Sequence, residues 1–251
     1  MNTNTYDCRC GKCHSEKFTV LPDPNAGVAW DLLDLRGIVA PLEPIVLCDD
    51  CGHVAPRGLF AKPVPTELRE MPWNDILSMP MPDLARHYLN SAPLYDLREE
   101  IGSIGLACIQ AAWCCEDTGH TDTALQLRNH AGIFLLAPHF ENDILNRMFT
   151  LSGCECARLT GSFKHTPKFI FDRLGCSAVE LWRTACRHNR KRTTGDFIED
   201  FSLHFLYHIY LCQIGDCSPH RLSDIPKDIF TRFAELNGFD ASVELAKIEE
   251  E

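Results

Sequence analysis

Apolar and polar positions follow different patterns in the two parts of this chain. From residue 66 onward, apolar residues recur every three or four positions, the spacing that places them on one face of an α-helix. Proline and glycine residues interrupt this pattern where helices would begin or end. The pattern predicts helices near residues 83–90, 94–117, 121–137, 141–150, 167–174, 177–191, 196–214, 227–237 and 241–249.

The first 65 residues lack the helical pattern and contain seven prolines. Two short runs, Phe18–Leu21 and Ile45–Leu47, have the composition of β-strands. The proline-rich stretch 61–72 has the composition of a linker. We therefore expect an α+β chain, in which a small N-terminal domain over residues 1–65 precedes a larger all-α domain over residues 66–251.

Cysteine spacing supplies the clearest chemical signal in the first domain. Cys10-Gly-Lys-Cys13 and Cys48-Asp-Asp-Cys51 are two C-x2-C pairs. A tight turn with cysteines three positions apart directs both sulfurs at one ion, and two such turns supply the four ligands of tetrahedral Zn2+. Together with the flanking strands, this spacing predicts a zinc ribbon. Because protein sulfur fills all four positions, the expected Zn2+ is structural.

Other ligand sets fit the same segment. Cys8 precedes Cys10 and could replace one of the four sulfurs, and His14 or His53 could substitute for a cysteine. Four ordinary buried cysteines, a redox pair or an iron site are further alternatives.

Charge is distributed unevenly along the chain. The formal net charge is -11, which argues against a general binder of nucleic acid or anionic membranes. Residues 158–192 are the exception, with nine Lys or Arg against Asp172 and Glu180. A nucleic-acid-binding patch, a solvated basic helix end and docking to the protein's own acidic helices all fit this segment. The candidate nucleic-acid-binding residues are Arg183, Arg187, Arg190, Lys191 and Arg192.

Four ionisable or thiol side chains recur every four residues near the end of the chain. They are Asp200, His204, His208 and Cys212, which would form one stripe on a helix and could hold a metal. The surrounding residues are apolar nearly all round, which favours a buried core helix. Arg183 and His188 also fit the loose Arg-x4-6-His pattern of HEPN-type ribonucleases, but the chain has three such pairs and chance predicts about two.

A second group of cysteines has no C-x2-C turn. It consists of Cys154, Cys156, Cys176 and Cys186. These residues fit either a second metal site or small buried apolar side chains. The nucleotide-binding and hydrolase motifs G-x4-G-K-[ST], G-x-G-x2-G after a strand, H-E-x2-H and G-x-S-x-G are absent from the sequence.

Small residues in the helical part carry a resemblance to a known repeat. Residues 105–138, within the region 66–140, have Ala112, Cys115, Gly119, Ala124 and Ala131 at the spacing of one tetratricopeptide unit. The segment departs from that family at Cys115, at Arg128 in place of a bulky aromatic residue, and at Pro138. The resemblance implies two antiparallel helices around a glycine turn. A helical hairpin within an α-bundle is the alternative, and residues 141–251 would add further helices.

The order of zinc ribbon, proline-rich linker and hairpin with Ala-Ala-Trp-Cys-Cys-Glu-Asp at residues 111–117 resembles a loosely defined group of bacterial cytoplasmic proteins over residues 8–138. The resemblance implies a protein-binding or scaffold role. We therefore expect a zinc-stabilised, non-enzymatic interaction protein whose partner is another protein. The alternatives are a nucleic-acid-binding regulator that uses residues 158–192 and a metal-dependent or HEPN-like nuclease. No run of about 20 apolar residues and no signal peptide is evident, so we expect no membrane partner and a cytoplasmic location.

Overall fold

The structure is a computed structural model that describes residues 9–24, 26, 36, 44–64, 74–96, 101–137, 143–162, 166–191 and 201–250. Three strands are present near the N-terminus of this part: β1 (Phe18–Val20), β2 (Ile45–Cys48) and β3 (Val54–Pro56). The helices are α1 (Asp83–Asp96), α2 (Ile101–Asp117), α3 (Thr121–Leu136), α4 (Asp143–Leu159), α5 (Thr166–Leu174), α6 (Ala178–Lys191), α7 (Ser202–Ile214), α8 (Ile229–Leu236) and α9 (Ala241–Glu250).

The fold is mostly helical with a small antiparallel sheet, as the sequence pattern predicts. The predicted helix end near residue 90 is wrong, because α1 continues through Pro93 to Asp96. Pro93 lacks an N–H, yet Leu89, Leu94 and Tyr95 are all buried, and their packing holds the helix past the proline. The α4 helix extends nine residues beyond the predicted end at residue 150, and its last turns are also buried.

The chain divides into two compact units. The first comprises Met1–Val28 and Gly37–Pro138, and the second comprises Ala29–Arg36 and His139–Glu251. The domain boundary predicted near residue 65 therefore lies inside the first unit. Independent folding of residues 1–65 stays a prediction.

In the first unit, the sheet and the helix α1 share one hydrophobic core. The strand order is β1-β2-β3 and both pairs are antiparallel, with Phe18 opposite Cys48 and Val46 opposite Ala55. The core of this region includes Val46, Ala55 and Phe60 from the sheet region and Leu94 from α1. The α1 helix thus covers the sheet, which would be too small to bury a core by itself.

The helices α2 and α3 form a close antiparallel hairpin. Gly119 has a φ angle of +78° in the turn between them, a conformation that glycine adopts without strain. Near the far end of the hairpin, a Cβ atom on Gly105 would lie 2.7 Å from Cγ of Leu135. Glycine is therefore required there by the close approach of the two helices.

The second unit is built around the helix α7. Every residue from Ser202 to Cys212 is buried. The helices α4, α5, α6 and α8 all contact α7, and α9 contacts α6 and α8. The buried core helix that the apolar stretch predicts is therefore confirmed over the residues that the structure describes. No helix in the described ranges is both long enough and apolar enough to cross a membrane.

Candidate metal centre

Four cysteine sulfurs converge beside the three-stranded sheet. The Sγ atoms of Cys10, Cys13, Cys48 and Cys51 all lie within 4.8 Å of one another. Two pairs of Sγ atoms are closer: those of Cys10 and Cys51 are 3.7 Å apart, and those of Cys13 and Cys48 are 3.5 Å apart. A tetrahedron with Zn–S bonds of about 2.3 Å has edges of about 3.8 Å. The spacing of the sulfurs therefore fits tetrahedral coordination of one ion.

The two C-x2-C turns have the same backbone hydrogen bonds. In the first turn, Cys10 N–H donates to Ser15 O at 2.8 Å and His14 N–H donates to Cys10 O at 2.8 Å. In the second, Cys48 N–H donates to His53 O at 2.8 Å and Gly52 N–H donates to Cys48 O at 3.0 Å. The two segments present their paired sulfurs in the same way.

A left-handed residue follows the second cysteine of each turn. Gly52 has a φ angle of +70° and His14 has one of +62°. Glycine adopts this conformation freely, whereas a histidine there is less common. From the sequence alone, Gly52 indicates a left-handed residue at this position, because glycine commonly adopts that conformation. His14 does not indicate it, because histidine rarely does.

Backbone N–H groups donate to the sulfurs and lower the thiol pKa values, whereas burial raises them and the neighbouring thiols raise that of Cys13. Burial raises the pKa of Cys48, but the N–H groups of Cys51 and Asp50 outweigh it and lower the pKa to about 7. The N–H of Ser15 lowers the pKa of Cys13, but the neighbouring thiols, Cys51 first, raise it to about 12. Such N–H groups stabilise thiolate, the form of cysteine that binds metal.

Side chains also link the first turn and its strand to the second turn. Ser15 Oγ donates to Asp50 Oδ2 at 2.6 Å, and Thr19 Oγ1 donates to Asp49 Oδ1 at 2.9 Å. Lys17 forms an exposed ion pair with Asp50. These contacts hold the two turns at a fixed distance, which pre-organises the four sulfurs.

The alternative ligands have other roles or fall outside the described residues. Cys8 lies outside them. Neither His14 nor His53 belongs to the converging group found in the part of the chain that the structure describes. His53 instead stacks on Phe60 at 5.8 Å, and its backbone N–H donates to the sulfur of Cys51. Sequence reasoning missed this role, because it considers side chains and not main-chain donors.

The second group of cysteines does not converge. Among the described residues, the group at Cys10, Cys13, Cys48 and Cys51 is the one set of three or more ligand atoms close enough to share an ion. Cys154, Cys156 and Cys186 are buried, and burial raises the pKa of Cys154 well above its usual value. These positions favour packing by thiols over metal binding.

The histidine stripe on α7 is buried. His204, His208 and Cys212 all lie in the core, whereas Asp200 falls outside the described residues. His208 Nδ1 donates to the carbonyl of His204 at 2.8 Å, and His208 Nε2 lies 3.2 Å from Glu155 Oε2. The nuclease hypothesis requires these histidines in an open cleft, so their burial favours a structural role.

Glu155 and Arg158 form a buried ion pair that sequence reasoning missed. Both oxygens of Glu155 accept hydrogen bonds from Arg158, at 2.7 Å each. Arg158 also donates to the carbonyls of Asp216 and Ser218 just after α7. The pair therefore connects α4 to the turn that ends α7. Glu155 and Arg158 are three residues apart on one helix, and this spacing is the feature of the sequence that could have predicted the ion pair.

The basic segment is partly used in contacts within the second unit. Besides buried Arg158, Arg173 donates to Asn146 Oδ1 and Arg183 pairs with Glu244 on α9. Arg187 is half-buried and His188 is exposed. Arg190 and Lys191 end α6, and Arg192 lies outside the described residues. A nucleic-acid surface on these residues stays a prediction.

Comparisons with protein-family models, with curated proteins and with solved structures found no match to this chain. The resemblance to bacterial zinc-ribbon proteins therefore stays a prediction. Function has to be inferred from the geometry of the residues themselves.

Proposed function

We propose that Cys10, Cys13, Cys48 and Cys51 bind one structural Zn2+ in a zinc ribbon, and that the protein is a non-enzymatic scaffold for another protein. The convergence of four sulfurs at distances that suit tetrahedral coordination carries this proposal. Such sites contribute folding free energy on the order of 10 kcal/mol in small zinc modules. A three-stranded sheet with strands of three or four residues needs a contribution of this kind.

The closed ligand set favours a structural ion over a catalytic one. Four cysteines complete a tetrahedron, so water has no coordination position at which Zn2+ could activate it. Two of the four sulfurs, those of Cys10 and Cys48, also belong to buried residues of the sheet core. An ion held there stabilises the fold of the first unit.

The hairpin α2–α3 supports the scaffold role. Four of the five small residues that give the tetratricopeptide resemblance are buried, and Gly119 lies exposed in the turn; the buried four are Ala112, Cys115, Ala124 and Ala131. On the opposite face of α3, Leu125 is 44% exposed and Ile133 is 58% exposed. A single hairpin has no neighbouring repeat to cover such a face. We infer that an apolar segment of a partner protein packs against it.

Metal analysis tests the zinc part of the proposal. We expect about one zinc per chain in the purified full-length protein and a near-complete loss in Cys48→Ser, because the ion loses one of four ligands. Cys217→Ser is the matched control, since Cys217 is an exposed cysteine outside the cluster. Full zinc content in Cys48→Ser would overturn the assignment.

Site-specific cross-linking tests the scaffold part. A photo-cross-linker placed at Asn129, on the exposed face of α3, should capture a defined protein in cells. The capture should be lost in Ile133→Asp and retained in Val243→Asp, a similar change at an apolar residue on α9 that is 49% exposed. Equal capture by both variants would contradict a partner on α3.

A further inference from the structure

A groove in the second unit lies between α6, α8 and α9. Its volume is about 830 Å³, within the range of about 300–1,000 Å³ typical of small-molecule sites. Its lining is largely apolar, with Trp182, Phe230, Phe239 and Leu245. This groove is separate from the metal centre, and the inference does not rest on zinc binding.

Aromatic rings form one wall of the groove in a fixed arrangement. Trp182 meets Phe230 edge to face at 6.1 Å and Phe239 at 5.8 Å. The indole N–H of Trp182 donates to the carbonyl of Phe230 at 2.8 Å. The wall is therefore pre-organised, so a ligand would lose little affinity to ordering these side chains.

The charge of the lining is entirely negative. Glu235 and Asp240 line the groove, and none of its lining residues in the described ranges is Lys or Arg. Neither carboxylate has an ion-pair partner within the part of the chain that the structure covers, although Arg183 and Lys247 nearby both pair with Glu244. Hydrogen bonds from Ser242 keep the pKa of Asp240 below its usual value, so Asp240 is charged near neutral pH.

We propose that this groove binds a small organic cation, an amine with an aromatic or aliphatic body. The apolar part would contact Phe230, Phe239 and Leu245, which lie over the buried ring of Trp182, and the ammonium group would interact with the two carboxylates and the faces of the two phenylalanine rings. An anionic ligand would meet two carboxylates and no cationic lining residue in the described ranges, which disfavours it.

Three compounds with the same indole body test the proposal by isothermal titration calorimetry on the full-length protein. Tryptamine is cationic, tryptophol is neutral and indole-3-propionate is anionic. We expect saturable binding of tryptamine, about tenfold tighter than that of tryptophol, and no binding of the anion. Equal affinity for tryptamine and tryptophol, or no saturable binding of tryptamine, would overturn the proposal.

Charge-removing variants test whether binding occurs in this groove. The double variant Glu235→Gln/Asp240→Asn should bind tryptamine about tenfold more weakly. Asparagine also caps helices well, so Asp240→Asn keeps the start of α9 intact. Glu249→Gln, which removes one negative charge from α9 outside the groove, should bind like the wild type. An unchanged affinity in the double variant would place the tryptamine elsewhere and reject this site.

Discussion

Gly11 and Gly52 occupy the two C-x2-C turns for different physical reasons. A Cβ atom on Gly11 would lie 1.9 Å from the carbonyl oxygen of Lys62, a distance that no structure tolerates without movement of the backbone. A Cβ on Gly52 would meet no atom within 4 Å, but the φ angle of +70° disfavours any other residue. One glycine is needed for space and the other for conformation.

We predict that Gly11→Ala destabilises the zinc-loaded protein more than Gly52→Ala. The left-handed conformation at Gly52 costs an alanine about 1 kcal/mol, whereas the clash at Gly11 costs about 3 kcal/mol. Urea unfolding followed by circular dichroism measures both free energies. Equal losses in the two variants would contradict the close approach of Gly11 to the backbone of Lys62.

The carboxyl group of Glu155 should make the stability of the second unit depend on acid pH. Burial raises the pKa of Glu155, but the hydrogen bonds and positive charge of Arg158 outweigh it and lower the pKa from 4.5 to about 2. A depressed carboxyl pKa stabilises the fold above the unfolded-state value, and that stabilisation disappears as the pH falls toward 2.

We therefore expect the free energy of unfolding to fall by up to about 3 kcal/mol through Glu155 as the pH decreases from 4.5 to 2. In Glu155→Gln, the protein should be less stable at neutral pH and its stability should depend less on pH over this range. Glu235→Gln removes an exposed carboxyl group of the same unit and should retain the wild-type dependence. Parallel pH profiles for the wild type and Glu155→Gln would contradict this role.

At the scale of elements, the hairpin α2–α3 contains a buried arginine on α3. The side chain of Arg128 is only 3% exposed, and its Nε and Nη2 donate to the two oxygens of Glu116 at 2.6 and 2.9 Å. The aliphatic part of arginine fills space, and the ion pair across the turn satisfies the charge.

Arg128→Ala should lower the free energy of unfolding by about 2–3 kcal/mol, because it leaves a void and a carboxylate without its partner. Glu116→Gln should lower the free energy of unfolding by less, because the side chain of Glu116 is one-third exposed. A double-mutant cycle measures the coupling between the two residues. Additive losses would contradict a direct interaction between Arg128 and Glu116.

Most elements could be predicted from the sequence because their apolar periodicity is strong. The strands β1 and β2 and every helix lie near the predicted positions. The strand β3 was not predicted, since it has three residues and ends at Pro56. Its formation depends on pairing with β2, in which Val46 lies opposite Ala55. Such pairing between distant residues leaves no local signal.

At the scale of the whole molecule, the four-cysteine cluster shares its core with a helix. Leu94 of α1 packs in the cluster that contains Cys10 and Cys48. We predict that zinc removal by a chelator increases hydrogen exchange in the sheet and in α1, while the helices α6 to α9 of the second unit retain their protection. Hydrogen-exchange mass spectrometry measures both regions in one experiment.

Two results would contradict this expectation. Unchanged exchange in α1 would mean that residues 1–65 fold independently, as the sequence pattern alone predicts. Increased exchange across both compact units would mean that the metal stabilises the whole chain cooperatively.

The candidate site was more predictable than the division into units. The C-x2-C spacing identifies all four cysteines of the converging group, because local turns determine where their sulfurs point. The first unit extends to residue 138 because α1 packs against both the sheet and α2, and α2 packs against α3. The proline-rich stretch 61–72 indicates a break in secondary structure but cannot indicate which elements pack together afterwards.

The four sulfurs differ in exposure, and this difference gives the metal centre an entrance. Cys10 and Cys48 are buried and Cys51 is half-buried, but Cys13 is exposed. A chelator, a carrier thiol or an oxidant that approaches from solvent therefore reaches the sulfur of Cys13 first. If the cluster holds an ion, its exchange would proceed stepwise from this sulfur inward, so that Cys13 would set the rate of exchange while all four cysteines together would set the affinity.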